Sequence, residues 1–456
     1  MRRGSLFLVR GLATLVACGL SLAARGARAN PLDVFGFGSR EAAMGGAVSA
    51  DVRDFSASYY NPAGLALAHG LEVSVGYFRA DHALSMNGKD GGVDPVAGMA
   101  GGAVVPGKIY DFPFAVGVGF HIPDHWLTRV RALPQTQPRW ELYDNRNQRL
   151  WFGVDGAISP WPWLQLGGGV TFMAATKATL DISGHIALFS PTDSSLRHQV
   201  DADLTTIAYP AFGARAELSR QLALALVYRG QFSMDLNVAA NVKAGAGLGR
   251  AGDLTTLTIG LQTDTIDAFL PQQVVGGIAW TPAQDLHLNL DATWVNWSAY
   301  VPPVSRITTQ LDVPPPQGGW PAGIKPPTVP APTIVVPIEV HDTVVPRVGV
   351  EWRALARPSW EGFVRAGYEF AKSPIGAQTG STNYVDRDRH SISAGLGVRL
   401  VAPGAVLAGD VRFDAHAQLS LLPTSTTIKS DASDPVGDYT AGGHIWNVGF
   451  MATVGF

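Results

Sequence analysis

Hydrophobic and polar residues alternate along most of this chain after Leu71, with a period of two rather than 3.6. In the segment 286–294, Leu, Ala and Trp occupy the even-numbered positions, whereas His, Asn, Asp and Thr occupy the odd-numbered ones. Segments 363–371 and 405–419 show the same alternation. Such segments run about 10–15 residues, longer than the 5–6 residues usual in soluble sheets. Long strands with one apolar and one polar face predict a transmembrane β-barrel, because lipid accepts only a sheet whose edges are closed.

The alternating segments predict an all-β fold, an antiparallel transmembrane β-barrel of about fourteen strands over residues 71–456. The strands are expected near residues 71–85, 96–109, 113–122, 147–159, 164–182, 201–217, 222–241, 267–281, 286–300, 340–354, 361–371, 389–401, 405–421 and 442–456. Short turns are expected near 110–112, 160–163, 219–221, 282–285 and 402–404. Long loops are expected over 122–146, 244–267, 301–339, 372–388 and 423–442. Short turns at one end and long loops at the other are typical of periplasmic and extracellular faces. A secreted β-sandwich is the alternative, but it does not explain this asymmetry.

The first 29 residues predict export. A basic start at Met1–Arg3 and an apolar stretch over 6–24 precede the small-x-small pattern Ala27-Arg28-Ala29. We expect a signal peptide over residues 1–29, cleaved after Ala29. An uncleaved anchor and a lipoprotein modified at Cys18 are the alternatives. Cys18 is the only cysteine, so the mature chain would have no disulfide and no cysteine-ligated metal site.

Composition narrows the function classes. Of the 456 residues only 16% are charged, against about a quarter in ordinary soluble domains. Mean hydropathy is +0.11, and no second apolar run of about 20 residues follows the first, which argues against a helical transporter. Without the first 29 residues, 29 basic residues face 37 acidic ones, a net charge of −8. Nucleic acid is therefore not an expected partner, because phosphate binding needs basic patches.

Residues 30–70 do not alternate, and they carry Gly45-Gly46 and then Asn61-Pro62-Ala63 followed by Gly-Leu. This stretch resembles the FadL family of outer-membrane transporters for hydrophobic compounds, which includes the TodX type. The resemblance continues in order along the chain, over residues 270–280 with 293–298, 346–352 with 364–374, and 386–397. It implies that residues 30–70 form a small helical hatch inside the barrel lumen.

The resemblance implies passive uptake of a hydrophobic ligand, with long-chain fatty acids preferred and aromatic hydrocarbons left open. The ligand would bind an apolar pocket, the hatch would shift, and the ligand would leave sideways into the membrane. The candidate hatch residues are Asn61, Pro62 and Ala63 for a fixed turn and Gly45 and Gly46 for close packing. Phe35 and Phe37, near the mature N-terminus, are candidates for the ligand pocket. Purely structural packing of the hatch is the alternative for all seven residues.

The same reasoning sets the expected location and partners. The chain should lie in the outer membrane of a Gram-negative bacterium as a monomer, in contact with membrane lipid and lipopolysaccharide. The alternating last strand ends at Phe456, which resembles the terminal aromatic that the outer-membrane assembly machinery reads. Neither a cofactor nor a metal is expected. A polar-solute porin, or a structural or adhesive protein using the Pro-rich stretch 302–337, are the alternative functions.

No catalytic or metal site emerges from the motifs, so the chain is not expected to be an enzyme. The G-x-G-x-x-G match at 247–252 is not followed by a helical pattern. Pro123 separates His121 from His125 and removes the helical spacing that a zinc pair would use. A lipase-like pair of Ser298 with His390 has no motif to support it. The acidic run 386–388 is equally unsupported as a calcium loop.

Overall fold

The computed structural model describes residues 31–125, 138–144, 149–187, 195–247, 253–300, 306–312, 314, 338–378, 382–401, 409–429, 434 and 436–456. The predicted signal peptide with its cleavage site after Ala29, and most of the Pro-rich stretch 302–337, lie outside the described residues.

Strands make up most of the described chain, because β-branched and aromatic residues alternate with polar ones. They are β1 (Glu72–Met86), β2 (Lys89–Asp90), β3 (Val96–Ile109), β4 (Phe112–Pro123), β5 (Trp151–Trp161), β6 (Leu164–Ala187), β7 (Ser195–Ser219), β8 (Leu222–Arg229), β9 (Phe232–Gly247), β10 (Asp253–Leu270), β11 (Gln273–Ala283), β12 (Leu286–Val295), β13 (Arg306–Asp312), β14 (Thr343–Arg357), β15 (Trp360–Ala371), β16 (Arg389–Leu400), β17 (Val411–Thr427) and β18 (Tyr439–Gly455).

Fourteen of these strands form a closed antiparallel wall, which confirms the predicted barrel. The wall strands are β1, β3 to β8, β11, β12 and β14 to β18. It closes where β18 pairs with β1, from Glu72 opposite Gly455 to Met86 opposite Ala441. We call the end with the short turns the lower end and the end with the long loops the upper end.

Two neighbouring wall strands are interrupted near the upper end, which the alternation did not predict. The predicted strand 222–241 is divided into β8 and β9 at residues 230–231, and β10 and β11 are divided at residues 271–272. Below the interruption β8 pairs with β7. Above it, residues 238–247 of β9 instead pair in parallel with residues 178–187 of β6. β10 pairs with β9 and β13.

One predicted boundary was wrong. The strand expected over 405–421 begins at Val411, which pairs with Leu400 at the end of β16. The turn expected at 402–404 lies outside the described residues.

The wall has its polar side chains inside and its apolar side chains outside, the reverse of a soluble protein. Leu290 is 53% exposed, whereas Asn289 and Asp291 beside it are 1% and 5% exposed. Phe413 faces outward and Asp414 inward in the same way. This is the dyad pattern of a strand between lipid and lumen. None of the helices in the described ranges has the length and apolarity needed to cross a membrane.

Short helices fill the lumen near the N-terminus, which confirms the predicted helical hatch. They are α1 (Pro31–Phe35), α2 (Ser39–Ala43), α3 (Ala57–Tyr60) and a 3₁₀ helix (Pro62–Leu67), and α4 (Glu141–Asp144) follows in an upper loop. The hatch and the wall share an apolar core that includes Phe37, Phe55, Tyr59, Leu65 and Trp151. The predicted limits of the hatch, residues 30 and 70, stay predictions.

Candidate functional site

The Asn-Pro-Ala turn is fully buried at the centre of the hatch. The Asn61 side-chain carbonyl accepts a hydrogen bond from the Ala63 amide at 3.1 Å, which caps the 3₁₀ helix. Pro62 suits the first helical position because its missing N–H has no partner there anyway. The Asn61 amide donates to the carbonyl of Ser49 at 2.7 Å and, more weakly, to that of Ala214 at 3.4 Å. One side chain therefore connects the turn, the preceding loop of the hatch and the wall.

Two wall glycines make room for this turn. Gly167 on β6 and Gly213 on β7 are cross-strand partners. A Cβ atom at Gly167 would lie 2.4 Å from the Ala63 amide nitrogen, and one at Gly213 would lie 2.0 Å from Asn61 Oδ1. Real Cβ atoms do not approach so closely, so the turn packs directly against wall backbone.

Of the two glycines expected to pack closely, Gly45 forms a second close approach to the wall, whereas a Cβ at Gly46 would lie 3.5 Å from the Arg347 side chain, an ordinary contact. Both have positive φ, +64° and +72°, which L-residues with side chains rarely adopt. A Cβ at Gly45 would lie 2.9 Å from the Tyr368 amide nitrogen, and one at Gly367 would lie 2.2 Å from the Gly45 nitrogen. Backbone therefore meets backbone between the hatch and β15.

Asp291, on the lumen face of β12, anchors the hatch between these two contacts. Its carboxylate accepts hydrogen bonds from the amides of Val48 and Ser49, at 3.1 and 3.0 Å, and from the Ser49 hydroxyl at 2.9 Å. Sequence reasoning did not single out this residue. Its position on the polar face of a predicted strand was the available signal.

Buried ion pairs join the hatch to the lower part of the wall. Arg40 on α2 forms a bidentate pair with Glu351 on β14, both contacts at 3.0 Å, and a pair with Asp51 at 2.6 Å. Arg365 on β15 also contacts Glu351, at 2.5 Å, and reaches Asp414 on β17 at 2.7 Å.

The same ion network returns to the hatch through Arg412 on β17. Arg412 lies 3.0 Å from Asp414 and donates to Asp54 at 2.7 Å. Seven charged side chains thus run from the hatch through three wall strands and back, and we call this set the ion network: Asp51, Arg40, Glu351, Arg365, Asp414, Arg412 and Asp54.

Electrostatics in the hatch follow from this arrangement. Burial opposes ionisation of Asp51 and Asp54, but Arg40 and Arg412 outweigh it and hold the pKa of each carboxyl below its ordinary value. Glu41 accepts only a longer contact from the Arg40 guanidinium, at 3.4 Å. Burial, together with the negative charge of Asp54, raises the pKa of Glu41 to about 8.

Phe35 and Phe37 lie on opposite sides of the hatch. Phe37 points into the core shared with the wall, with ring centroids 5.0 Å from Phe55 and 4.9 Å from Trp151. Phe35 belongs to the apolar cluster at the upper end, 6.1 Å from Phe78. Gly36 between them has φ +80°, which turns the chain between the two rings. Phe35 therefore belongs to the upper apolar cluster and Phe37 to the core that the hatch shares with the wall.

α1 is held to the wall through Asp33, a residue that sequence reasoning missed. Gln273 donates to its carboxylate at 3.0 Å, Arg229 lies at 3.5 Å, and the Tyr59 hydroxyl donates to the same carboxylate. Gln273 and Arg229 are the wall residues next to the interruptions at 271–272 and 230–231.

Above α1 lies a crevice of about 80 Å³, which we call the upper crevice. Val34, Val295, Trp297 and Val345 form its apolar sides. Its polar border includes two acids and four basic residues: Asp33, Asp386, Arg347, Lys372, Arg387 and Arg389.

The two acids at the upper crevice have hydrogen-bond partners, and two of its four bases pair with a carboxylate. Asp386 accepts from the Ser373 hydroxyl at 2.7 Å. Arg347 and Arg389 both pair with Glu369, at 2.7 and 2.6 Å. Lys372 is exposed and forms no salt bridge with any described residue.

Arg387 faces neutral oxygens. Its guanidinium donates to the carbonyls of Asp386, Ser425 and Ala441 and to the Thr427 hydroxyl. Burial lowers the pKa of Arg387 from its ordinary value, yet it stays a cation. The upper crevice thus combines apolar sides with two cations that lack a carboxylate in hydrogen-bond contact.

Below the hatch, a cavity of about 550 Å³ opens at the lower end, and we call it the lower cavity. Charged residues from the ion network and from the strand ends border it, among them Arg40, Arg53, Glu72, Glu351 and Arg412.

The other chemical pairs considered from the sequence are not assembled in the described residues. Ser298 donates to Asn296, and His390 contacts the Tyr368 hydroxyl instead of a serine. His121 is buried and His125 exposed. Within the described ranges, no group of three or more His, Cys, Asp or Glu side chains is positioned to hold a metal ion.

Comparison with known proteins gives a consistent result. A family model described as "Outer membrane protein transport protein (OMPP1/FadL/TodX)" matches residues 161–414. No curated protein sequence matches the chain.

Several solved structures share the fold. A Pseudomonas aeruginosa FadL homologue is 15% identical with a TM-score of 0.56, and the alignment covers 95% of this chain and 100% of that one. The CymD monoaromatic hydrocarbon channel is 16% identical with a TM-score of 0.55, covering 92% and 97%. The Pseudomonas putida toluene transporter TodX is 15% identical with a TM-score of 0.53, covering 93% and 99%. At such identities the likeness establishes the fold alone.

Proposed function

Because the chain belongs to the OMPP1/FadL/TodX family of outer-membrane transport proteins, we propose that it takes up long-chain fatty acids passively. Transport of hydrophobic compounds is the family's function, and the fatty acid is our choice of ligand. One observation carries that choice. The upper crevice has apolar sides next to Lys372 and Arg387, which together suit an acyl chain with a carboxylate head.

The hatch must rearrange for this ligand to bind. The upper crevice of about 80 Å³ is smaller than the 300–1,000 Å³ usual for small-molecule sites. α1 forms one side of it through Val34, and Phe35 lies in the same apolar cluster. Displacement of α1, with loss of the Asp33 contacts, would enlarge the site. We therefore assign Phe35 to the ligand pocket and Phe37 to the packing of the hatch.

Release sideways into the membrane follows from the chemistry below the hatch. A hydrophobic ligand that entered the charged lower cavity would expose its chain to water, at a cost of roughly 0.8 kcal/mol for each methylene. The filled lumen also supports a transporter over an open polar-solute porin. Residues 32–65 are almost entirely buried, and they occupy the space that a porin would leave open.

The test is equilibrium binding of radiolabelled oleate and of radiolabelled toluene to the purified protein in detergent. We expect oleate to bind, and Lys372→Gln to weaken oleate binding about fivefold while leaving toluene binding unchanged, as for loss of one exposed ion pair. Lys108→Gln is the matched control, because Lys108 is also exposed but lies at the lower end.

Three outcomes would contradict the proposal. Binding of toluene without oleate would reassign the ligand to aromatic hydrocarbons. An equal loss of oleate affinity in the Lys372→Gln and Lys108→Gln variants would show that Lys372 does not bind the carboxylate of the ligand. Failure to bind either compound, with steady ion conductance in planar bilayers, would favour the porin.

A further inference from the structure

The short helix α4 borders the upper crevice with two of its side chains, Leu142 and Tyr143. Both are buried, and they belong to the same upper apolar cluster as Val34 and Phe35 of α1. Trp140, the residue before α4, is fully buried in this cluster as well. Side chains from an upper loop therefore occupy part of the apolar space that a hydrophobic ligand would need.

Residues 139–143, which we call the α4 segment, are held by backbone hydrogen bonds at Arg139. The Arg139 amide donates to the Asn383 carbonyl at 3.3 Å, and its carbonyl accepts from the Val385 amide at 2.9 Å. From Trp140 onward the segment packs with its side chains. The Trp140 ring lies against Gly91, where a Cβ atom would approach it to 2.7 Å. Packed side chains separate without the loss of a backbone ladder, so Arg139 suits the hinge of a moving segment.

The Tyr143 ring links the α4 segment to the hatch through His82 on β1. The ring centroids of Tyr143 and His82 are 6.3 Å apart, and those of His82 and Phe35 are 5.8 Å apart, both edge to face. Displacing Tyr143 therefore removes a neighbour from the side chain that packs on Phe35. The α4 segment and α1, whose displacement the ligand requires, thus share one row of aromatic rings.

Arg389, at the border of the upper crevice, makes the polar contact of Tyr143. Arg389 is buried, pairs with Glu369 at 2.6 Å and donates a hydrogen bond to the Tyr143 hydroxyl. Its Nε–H is buried without an acceptor among the residues that the structure describes. A buried N–H group without an acceptor is unusual, and it marks Arg389 as a donor that a further oxygen atom would satisfy.

The charge around Arg389 favours an anion as the source of that oxygen. Glu369 is shared with Arg347, at 2.7 Å, so one carboxylate serves two guanidinium groups. These three side chains together carry one uncompensated positive charge. A planar guanidinium binds a carboxylate with two parallel N–H donors, and such charge-assisted hydrogen bonds are roughly twice as strong as neutral ones. A ligand carboxylate is therefore a stronger acceptor for Arg389 than the neutral Tyr143 hydroxyl.

We propose that the α4 segment is a lid on the upper crevice, and that a fatty-acid carboxylate replaces the Tyr143 hydroxyl on Arg389 when the lid opens. In the closed form Leu142 and Tyr143 fill the apolar space, and Tyr143 accepts from Arg389. In the open form the acyl chain and the carboxylate take these two places. The inference rests on the proposed uptake of fatty acids, and it adds a buried arginine to Lys372 and Arg387 as partners of the carboxylate.

The experiment is equilibrium binding of radiolabelled oleate and of radiolabelled methyl oleate, its neutral ester, to the full mature protein in detergent. Opening of the lid is common to both ligands, whereas only oleate offers a carboxylate to Arg389. The absolute affinities therefore report the lid, and the ratio of the two affinities reports the Arg389 contact. Heat-modifiable migration on gels checks that each variant is folded.

Tyr143→Phe keeps the ring but removes the hydroxyl from Arg389, so the closed lid loses a hydrogen bond to a charged group. Both ligands should bind about tenfold more tightly, with their ratio unchanged. Tyr209→Phe is the matched control. The Tyr209 hydroxyl also accepts from a buried nitrogen, that of the Trp151 indole at 3.2 Å, but it lies in the core shared by the hatch and the wall. That variant should bind both ligands as the unmodified protein does.

Arg389→Lys tests the carboxylate contact, because it keeps a positive charge beside Glu369 but loses the planar pair of N–H donors. The ratio of oleate affinity to methyl oleate affinity should fall about fivefold. The Tyr143→Phe variant serves as the comparison, since it alters the lid and leaves the Arg389 donors in place.

Unchanged affinities in the Tyr143→Phe variant would overturn the assignment of the lid, and an unchanged ratio in the Arg389→Lys variant would overturn the carboxylate contact. If the unmodified protein binds methyl oleate but not oleate, the proposed function fails, and the carboxylate contact fails with it. Methyl oleate alone then decides the lid, because Tyr143→Phe should still tighten its binding.

Discussion

The hatch divides the lumen into two spaces that differ in size and in chemistry. The upper crevice measures about 80 Å³ and has apolar sides, whereas the lower cavity measures about 550 Å³ and is bordered by six arginines and four acidic residues. The larger space is the less favourable one for a hydrophobic ligand, because the charged residues around the lower cavity keep that cavity hydrated. Chemistry, rather than volume, therefore supports the upper crevice as the proposed ligand site.

The contacts that hold the hatch also differ between its lower and its upper side. Toward the lower end it has the ion network, the Asp291 hydrogen bonds and backbone packed on wall glycines. Toward the upper end α1 has mainly the Asp33 contacts and one hydrogen bond from Asn447 to the Phe35 carbonyl. We infer that the barrier to the periplasm is the more stable part and that α1 is the part that yields.

The largest expected effect comes from breaking the ion network at its centre. Glu351→Gln leaves Arg40 and Arg365 buried without their shared carboxylate. Removing one partner of a buried ion pair typically costs about 3–5 kcal/mol when the remaining charge is left unpaired. Arg40 keeps Asp51 and Arg365 keeps Asp414, so we expect a cost at the lower end of that range, about 3 kcal/mol. We expect the lower half of the hatch to detach from β14, and steady ion conductance to appear in planar bilayers where the unmodified protein shows little.

Glu361→Gln is the control for that prediction. Glu361 on β15 also contacts two arginines, Arg353 at 2.8 Å and Arg399 at 3.2 Å, but their side chains are 25% and 45% exposed. Solvent screens such pairs, so their loss should cost at most about 1 kcal/mol. Equal conductance in the two variants would mean that the buried network does not seal the lumen.

A smaller effect is expected where the hatch turn meets wall backbone. Gly167→Ala places a methyl group 2.4 Å from the Ala63 nitrogen and the Pro62 carbonyl carbon, and overpacking of this kind typically costs about 1–3 kcal/mol. The temperature at which the barrel unfolds, measured by its heat-dependent change in migration on gels, should fall. Proteases should also cleave the hatch faster than in the unmodified protein. Gly276→Ala is the control, because its Cβ meets no atom within 4 Å. An unchanged unfolding temperature and an unchanged cleavage rate in the Gly167→Ala variant would show that the turn can move away from β6 without cost.

The sequence predicted the barrel well because the signal is local. Alternation at 286–294 identified which side chains face lipid and which face the lumen, and the structure confirms this at Asn289 and Leu290. The Asn-Pro-Ala turn was also visible, since its capping hydrogen bond spans only two residues. Strand number followed from the same period.

What the sequence could not predict depends on contacts between distant segments. Alternation indicated that Arg365 and Asp414 lie on the polar faces of their strands, but not that strand register brings both of them next to Glu351. Phe35 and Phe37 looked equivalent, and only the positive φ of Gly36 sends their rings to different sides. Asp33 lay in a helix too short to give a period, so its contacts with Arg229 and Gln273 had no sequence signal.

The effect expected to be smallest over a single pH unit concerns pH, and it tests whether the lower contacts of the hatch depend on a neutral Glu41. Its pKa is about 8 in the folded protein against 4.5 as the ordinary value, because burial and Asp54 disfavour the charge. A raised carboxyl pKa gives stability that is complete below pH 4.5 and is lost as the pH rises through 8. Between pH 7 and pH 8 the free energy of unfolding should fall by about 1 kcal/mol. The gel-shift temperature of the unmodified protein, compared with that of Glu41→Gln from pH 5 to pH 9, measures this term. The difference between the two proteins should grow until about pH 8 and then level off, and a pH-independent difference would show that Glu41 is already ionised beside Arg40.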